Sequence, residues 1–270
     1  MPIFEEKRLN PSEFVPFKSH FKNQFDSVFV AFLPFFKIKE KIFSPRGQQL
    51  SQKISLKEAQ NKIPILKALK KTEGNIYISE NDQYPSDSEI LKFGERLLWQ
   101  SLVSKEGFQN FGEVYKALCT SIGAFRKSFR REDLANKLKD IIKLEKAYMP
   151  VEGRFNPLTK LDIYEAVCVL KRNKVIVVDE FYEKNKSLDL ANLKEDNFVS
   201  EIGPKDYYVY SEDKSILFSM GWDDFYYLIC SDKASIEKVL SKSPIEGFYC
   251  DEKTSSRWYW TEEELKQLSP

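Results

Sequence analysis

Two short stretches carry residues whose types and spacing could do hydrolytic chemistry. Asp179 and Glu180 follow directly on the apolar run Val175-Ile176-Val177-Val178, and the ends of buried strands are places where sheet proteins present functional carboxylates. Asp251-Glu252-Lys253 fits the (D/E)-x-K spacing with which metal-dependent nucleases hold Mg²⁺ on a carboxylate and steady the phosphate charge with a lysine. Glu5-Glu6-Lys7 and Glu212-Asp213-Lys214 fit the same three positions, so the fragment is not diagnostic in a chain this rich in acids and lysines. An enzymatic reading would have to use Asp179, Glu180, Asp251 and Lys253. The plain alternative is that Asp179 and Glu180 only mark a strand's return to solvent.

Other chemistries are excluded by counting. The single histidine, His20, removes a His-rich zinc site and an H-E-x-x-H protease, and its setting in FKSHFKNQF suits a structural or surface role. Neither phosphate-binding glycine pattern, G-x-x-x-x-G-K-[ST] or G-x-G-x-x-G, occurs. Cys119, Cys168, Cys230 and Cys250 lie far apart, without C-x-x-C spacing, and read as buried small hydrophobes. Cys250 sits in GFYCDEKTSSRWYW, residues 247–260, where the alternation predicts a hairpin: strands 247–250 and 257–260, with DEKTSS as the loop and an inert thiol. Nothing calls for a metal or cofactor.

Two further groups are candidates for binding. Trp222-Asp223-Asp224 falls between strand-like runs, where Gly221 and the aspartates suit a turn. FRKSFRRED, residues 125–133, is predicted as a helix with Phe125 and Phe129 on one face and Arg126 and Arg130 off it, a pattern that can bind phosphates or simply present a solvated basic face. Charge runs from +7 over residues 1–75, through +1 over 76–150, to −7 over 151–270, for a net of +1. A nucleic-acid binder would be more basic overall.

These residues have to be positioned by elements that the periodicity outlines. Residues 11–45 are aromatic and broken by prolines, with FDSVFVAFLPFF either a buried strand or an extended segment. Ser55 with Glu58 and Ser86 with Glu89 form capping boxes; the second is predicted to open a helix whose buried stripe runs through Ile90, Leu91, Leu97, Leu98 and Leu102. Pro64 can end the first of these helices. IYIS, 76–79, reads as a strand; 111–119 and 133–144 read as helices. YMPVEGRFNP, 148–157, is the best candidate junction, after which Thr159 with Asp162 is predicted to start a helix. KVIVVDEF, DYYVY, SILFSM and DFYYLIC follow as strands, and 232–240 as a short helix.

The segment SILFSMGWDDFYYLICSDKASIEKVLSKSPIEGFYCDEKTSSRWYW resembles the C-terminal part of an uncharacterised bacterial domain-of-unknown-function family found mainly in Bacillus-like organisms, through its W-D turn and EGF-x-C-D-E-K-T. The resemblance covers the last third of the chain and carries no activity. The WDD-aromatic strand and the acidic C-terminal surface are also similar to small α+β immunity proteins that neutralise bacterial toxins, by analogy alone.

The expected fold is α+β: a helix-rich part over residues 1–150 and a part over 151–270 built on a mainly antiparallel sheet with short helices, packed together as one compact unit. No apolar run reaches the roughly 20 residues that cross a bilayer, and the N-terminus MPIFEEKRLNPSEF, with acids among its first residues, lacks a signal's apolar core. The functional expectation is a cytoplasmic bacterial protein that acts by binding a protein partner without catalysis, in the manner of an immunity-type protein, rather than by binding nucleic acid or membrane. The competing class is a metal-dependent hydrolase or nuclease using the strand-end carboxylates.

Overall fold

The computed structural model of the chain describes residues 3–39, 51–62, 76–79 and 84–268. Pro45 and Pro64, named above as chain punctuation, lie outside the described residues. After a short helix α1 (Phe17–Phe21), the aromatic segment 25–36 forms two strands, β1 (Ser27–Phe32) and β2 (Phe35–Ile38), which the Leu33-Pro34 step sends into different sheets. β3 (Ser51–Ile54) and β4 (Ile76–Ser79) pair with each other, and between them α2 (Leu56–Lys62) opens on the Ser55–Glu58 capping box.

The second capping box, Ser86 with Glu89, starts α3 (Asp87–Phe93) as expected, but the helix does not run on to Leu102. At Gly94 the chain extends into β5 (Gly94–Leu97) and then enters α4 (Trp99–Ser104). The apolar spacing suited a helix, yet β2 offered a partner strand, and β5 pairs with it while β6 (Ala147–Tyr148) takes its other side. α4 has no capping side chain of its own. Glu246, far along the chain, supplies it, accepting the Trp99 and Gln100 N–H groups at 2.7 and 2.9 Å.

Two helices, α5 (Phe111–Ser121) and α6 (Glu132–Glu145), pack together before β6. The C-terminal part brings α7 (Pro157–Val169), β7 (Lys174–Asp179), β8 (Asn185–Asp189), α8 (Glu195–Glu201), β9 (Asp206–Ser211), β10 (Leu217–Met220), β11 (Tyr226–Ser231), α9 (Lys233–Leu240), β12 (Gly247–Tyr249) and α10 (Glu262–Leu268). α7 starts three residues earlier than predicted: Asn156, not Thr159, is its cap, accepting the Thr159 N–H at 2.9 Å, and Pro157 takes the first helical position. Asp162 is therefore not a cap partner. It is buried against Arg96 at 2.7 Å, tying α7 to β5.

The large sheet has the order β12-β1-β11-β10-β9-β7-β8, every neighbouring pair antiparallel. The α+β class is therefore as expected. The N-terminal part is not simply helix-rich, since among the described residues it holds β1 to β6 and gives β1 to the interior of this sheet. Side chains alternate across it: Tyr226 meets Tyr115 of α5 and Phe17 of α1, and its cross-strand partner Phe32 meets Phe111 of α5, on one face, while Tyr227 meets Phe155 beside α7 on the other. Both faces are covered, so every residue of β1, β10 and β11 is buried. Burying Val28, Phe29, Val30 and Phe32 stabilises the fold by about 1.5–3 kcal/mol each.

A strand held by residues 226–231 on one side and 247–249 on the other cannot satisfy its backbone alone. Residues 1–150 and 151–270 expressed as separate pieces are expected to show no cooperative thermal unfolding, and to regain it on mixing only if they associate; independent, cooperative melting of either piece would contradict the shared sheet.

Candidate functional site

The sheet has two ends, and the antiparallel order decides which residues meet at each. β1, β10 and β7 finish at one end, where the β10–β11 turn carries Trp222 to Asp224 and the β7–β8 turn carries Glu180 and Phe181. Asp251 follows β12, which runs antiparallel to β1 and so finishes at the other end. β12 and β7 are also separated by four strands, a lateral distance of about 24 Å at the usual strand spacing. Asp179 and Glu180 are thus not brought together with Asp251 and Lys253, and the four cannot act as one hydrolytic site. Among the described residues no group of three or more His, Cys, Asp or Glu is arranged to hold a metal ion.

Two of these residues, Asp179 and Asp251, have local work. Asp179 Oδ1 accepts the Lys184 N–H at 2.9 Å and closes the β7–β8 turn. Asp251 Oδ1 accepts the N–H groups of Lys253 and Thr254 and the Thr254 hydroxyl, and these bonds hold its pKa below the usual carboxylate range. Lys253 is exposed.

The expected hairpin over 247–260 does not form. β12 pairs with β1 alone, and residues 257–260 make turns instead of a second strand. The aromatic residues found a better burial site: Trp258 packs against Phe32, Phe248 and Tyr115, Tyr259 stacks on Tyr115, and Trp260 lies against Phe125 and Phe129. Cys250 is buried, and desolvation pushes its thiol up to about 12. Cys119 and Cys230 are buried too, but Cys168, expected inside, is exposed on α7.

The basic cluster is not a helix either. Residues 127–129 form a single 3₁₀ turn between α5 and α6, because Phe125 and Phe129 are both drawn onto Trp260. Arg130 donates to the Phe125 carbonyl at 2.9 Å, while Arg126 is exposed. His20 bonds the Arg8 carbonyl through a ring nitrogen at 2.9 Å and meets Phe21 edge-on.

Trp222, Asp223 and Asp224 do lie in a turn, but they divide their roles. Trp222 and Asp223 face solvent. Asp224 turns its carboxylate inward, where the Tyr115 hydroxyl donates to it at 3.0 Å and Tyr226 bonds it as well; burial outweighs these bonds and raises its pKa to about 7. The turn is locked from below. Gly153, at φ +63°, donates its N–H to the Asp224 carbonyl at 2.9 Å, and a side chain there would collide with the Trp222 carbonyl.

Gly153 thereby fixes the 149–156 loop under this end of the sheet, and that loop holds the residues the sequence did not single out. The Tyr207 hydroxyl, raised to about 12 mainly by burial, lies in the field of Glu180, Asp223, Arg154 and Glu152. Glu152 Oε2 is buried without a hydrogen-bond partner, and Arg154, half-buried, makes no hydrogen bond or ion pair among the described residues. The one signal in the sequence was YMPVEGRFNP itself, read above as a junction.

The fold and this turn-built end define an α+β protein with a seven-stranded antiparallel sheet. The family described as protein of unknown function, DUF2711, matches residues 13–260, and the chain belongs to that family. The uncharacterized protein YwbB of Bacillus subtilis (strain 168) is 29% identical over 180 residues, covering 65% of this chain and 77% of that protein. No solved structure matches. The family resemblance expected for the last third therefore extends over nearly the whole chain, and the likeness to immunity proteins finds no support. Among the described residues no helix is long and apolar enough to cross a membrane.

Two outcomes follow from the buried groups. With a folded-state pKa of about 7 against the ordinary 3.8, Asp224 favours the folded state fully below about pH 4, and that contribution is lost as pH rises through about 7. Asp224→Asn should therefore gain stability relative to wild type as pH rises from 4 to 7, by at most about 1.4 kcal/mol per pH unit, in chemical denaturation. A difference constant across that range would contradict the buried carboxylate. In native labelling near neutral pH, Cys168 should react ahead of Cys250, and Cys250 should reach a rapid rate only in denaturant; rapid native labelling of Cys250 would mean an accessible thiolate.

Proposed function

We propose that the protein acts by binding rather than by catalysis, and that its partner is a protein segment docking on the Trp222 end of the large sheet. The observation that carries this reading is the exposure of two large aromatic side chains on neighbouring turns, Trp222 at 68% and Phe181 at 64%. β10 and β7, which end in these turns, flank β9, so the turns are about 10 Å apart. Exposed aromatics set among charges are the usual anchors of protein interfaces. The carboxylates of Glu152, Glu180 and Asp223 outnumber the Arg154 guanidinium around Tyr207, which favours a partner segment carrying apolar side chains flanked by basic ones. The separation of Asp179 and Glu180 from Asp251 and Lys253 weighs against the hydrolase reading.

The test compares the proteins cross-linked in native cells to the wild-type chain, to a Trp222→Ala/Phe181→Ala double variant, and to Leu144→Ala, an exposed position on α6. All three should melt alike, with one partner recovered by wild type and Leu144→Ala and reduced at least tenfold by the double variant. Equal recovery with the double variant would remove this surface. Divalent-cation-dependent hydrolysis that disappears in Glu180→Gln would replace binding with catalysis.

A further inference from the structure

A cleft of about 330 Å³ opens between the N-terminal ends of α3 and α7 and the chain after α8, within the size range of small-molecule sites. Its walls are of two kinds. Val151, Phe155, Val199 and Ile202 give it an apolar side, and Arg154, Asn156 and Lys160 a side made of donors and positive charge.

Those three polar groups are poorly served by the protein itself. Arg154 makes no hydrogen bond or ion pair among the described residues. Asn156 is 6% exposed; its Oδ1 is used in capping α7, but its Nδ2 is buried without a hydrogen-bond partner. Lys160, also buried, reaches only the exposed Asp87, at 3.5 Å, and desolvation lowers its pKa. Buried donors left unmade are costly. Asn156 Nδ2 is such a donor, and it lines one cavity together with the half-buried Arg154 and the buried Lys160, at the positive end of the thirteen-residue helix α7.

We infer that this cleft is a binding site for a small organic anion, with a carboxylate or phosphate group held by Arg154, Lys160 and the Asn156 amide and an apolar body lying along Val151, Val199 and Ile202. The guanidinium fork matches either oxyanion in bidentate fashion. An anion would return to the Lys160 ammonium the solvation that burial removed, and give Asn156 Nδ2 an acceptor. The apolar wall excludes a bare inorganic ion as the best ligand, because its area would go uncovered. Asp87 at the rim sets a limit on charge, favouring a single anionic group over two.

Hexanoate, neutral hexanamide and inorganic phosphate are suitable probes for the full-length chain, followed by amide NMR shifts and calorimetric titration. Hexanoate should bind saturably, shift amides within residues 151–156 and 199–203, and bind at least ten times more tightly than hexanamide; phosphate should displace it, but with weaker affinity. Arg154→Gln should melt like wild type, since no partner is lost, and should bind hexanoate at least tenfold more weakly, whereas Arg126→Gln should bind it normally. Tight phosphate binding that exceeds hexanoate would overturn the amphiphilic ligand class in favour of an inorganic anion. Hexanoate binding that is absent, or unchanged in Arg154→Gln, would overturn the site.

Discussion

β1 is the constraint on which the rest of the structure depends. Ser27–Phe32 lies between β11 and β12, so a strand from the first eighth of the chain completes its hydrogen bonding only with residues about two hundred positions later. Loop-closure entropy makes such pairing slow to form, and the compensation is an unusually complete burial of all six residues. Trp99 adds to it from the opposite direction, donating its indole N–H to the Leu33 carbonyl at 2.8 Å and stacking on Phe32. The Leu33-Pro34 corner, the entry to α4 and the edge strand β12 are consequently fixed by the same few groups, with Glu246 joining the last two.

Covering both faces of an antiparallel sheet has a cost in readability. The half-solvated sheet that gives clean alternation of polar and apolar residues is lost at β1, β10 and β11, which are buried throughout, while β8 is largely exposed. β7, β9, β10 and β11 were identifiable because β-branched and aromatic runs remain strand-like even when buried on both sides. β1 was ambiguous for the same reason, since a short apolar run has no period to distinguish strand from helix. β8 and α8 went unseen because polar residues dominate them.

The misreadings share a physical origin: a long-range partner replaced the local one. Residues 94–97 are helical by spacing and strand by the presence of β2. Residues 257–260 alternate like a strand, yet Tyr115, Phe125 and Phe129 offered aromatic surface that a hairpin with β12 could not, and Trp258 enters it even though its buried indole N–H finds no acceptor. The Ser55–Glu58 and Ser86–Glu89 capping boxes hold because a hydroxyl and a carboxylate three residues apart can complete their bonds locally, whereas Thr159 with Asp162 does not, since Asn156 takes the cap and Arg96 takes the carboxylate. For the site, the turn at Trp222 was readable from its composition, whereas the inward orientation of Asp224 depends on Tyr115, which lies more than a hundred residues away.

Glu152 and Arg154 pose the sharper question of why opposite charges flanking one glycine do not pair. Gly153, in a left-handed conformation and bonded to Asp224, stands between them, and although both charges act on the Tyr207 hydroxyl they form no ion pair with each other. Glu152 buries one carboxylate oxygen beneath the sheet end, and Arg154 turns to the cleft shared with Lys160. An exposed pair would have contributed little, about 0–1 kcal/mol, so forgoing it costs the fold almost nothing. Leaving Glu152 Oε2 and Asn156 Nδ2 buried without partners within five residues costs considerably more. Stability alone favours neither arrangement, and one of the two, the Asn156 amide, lines the same cleft as the unpaired Arg154 guanidinium, which is the geometry on which the anion site inferred above rests.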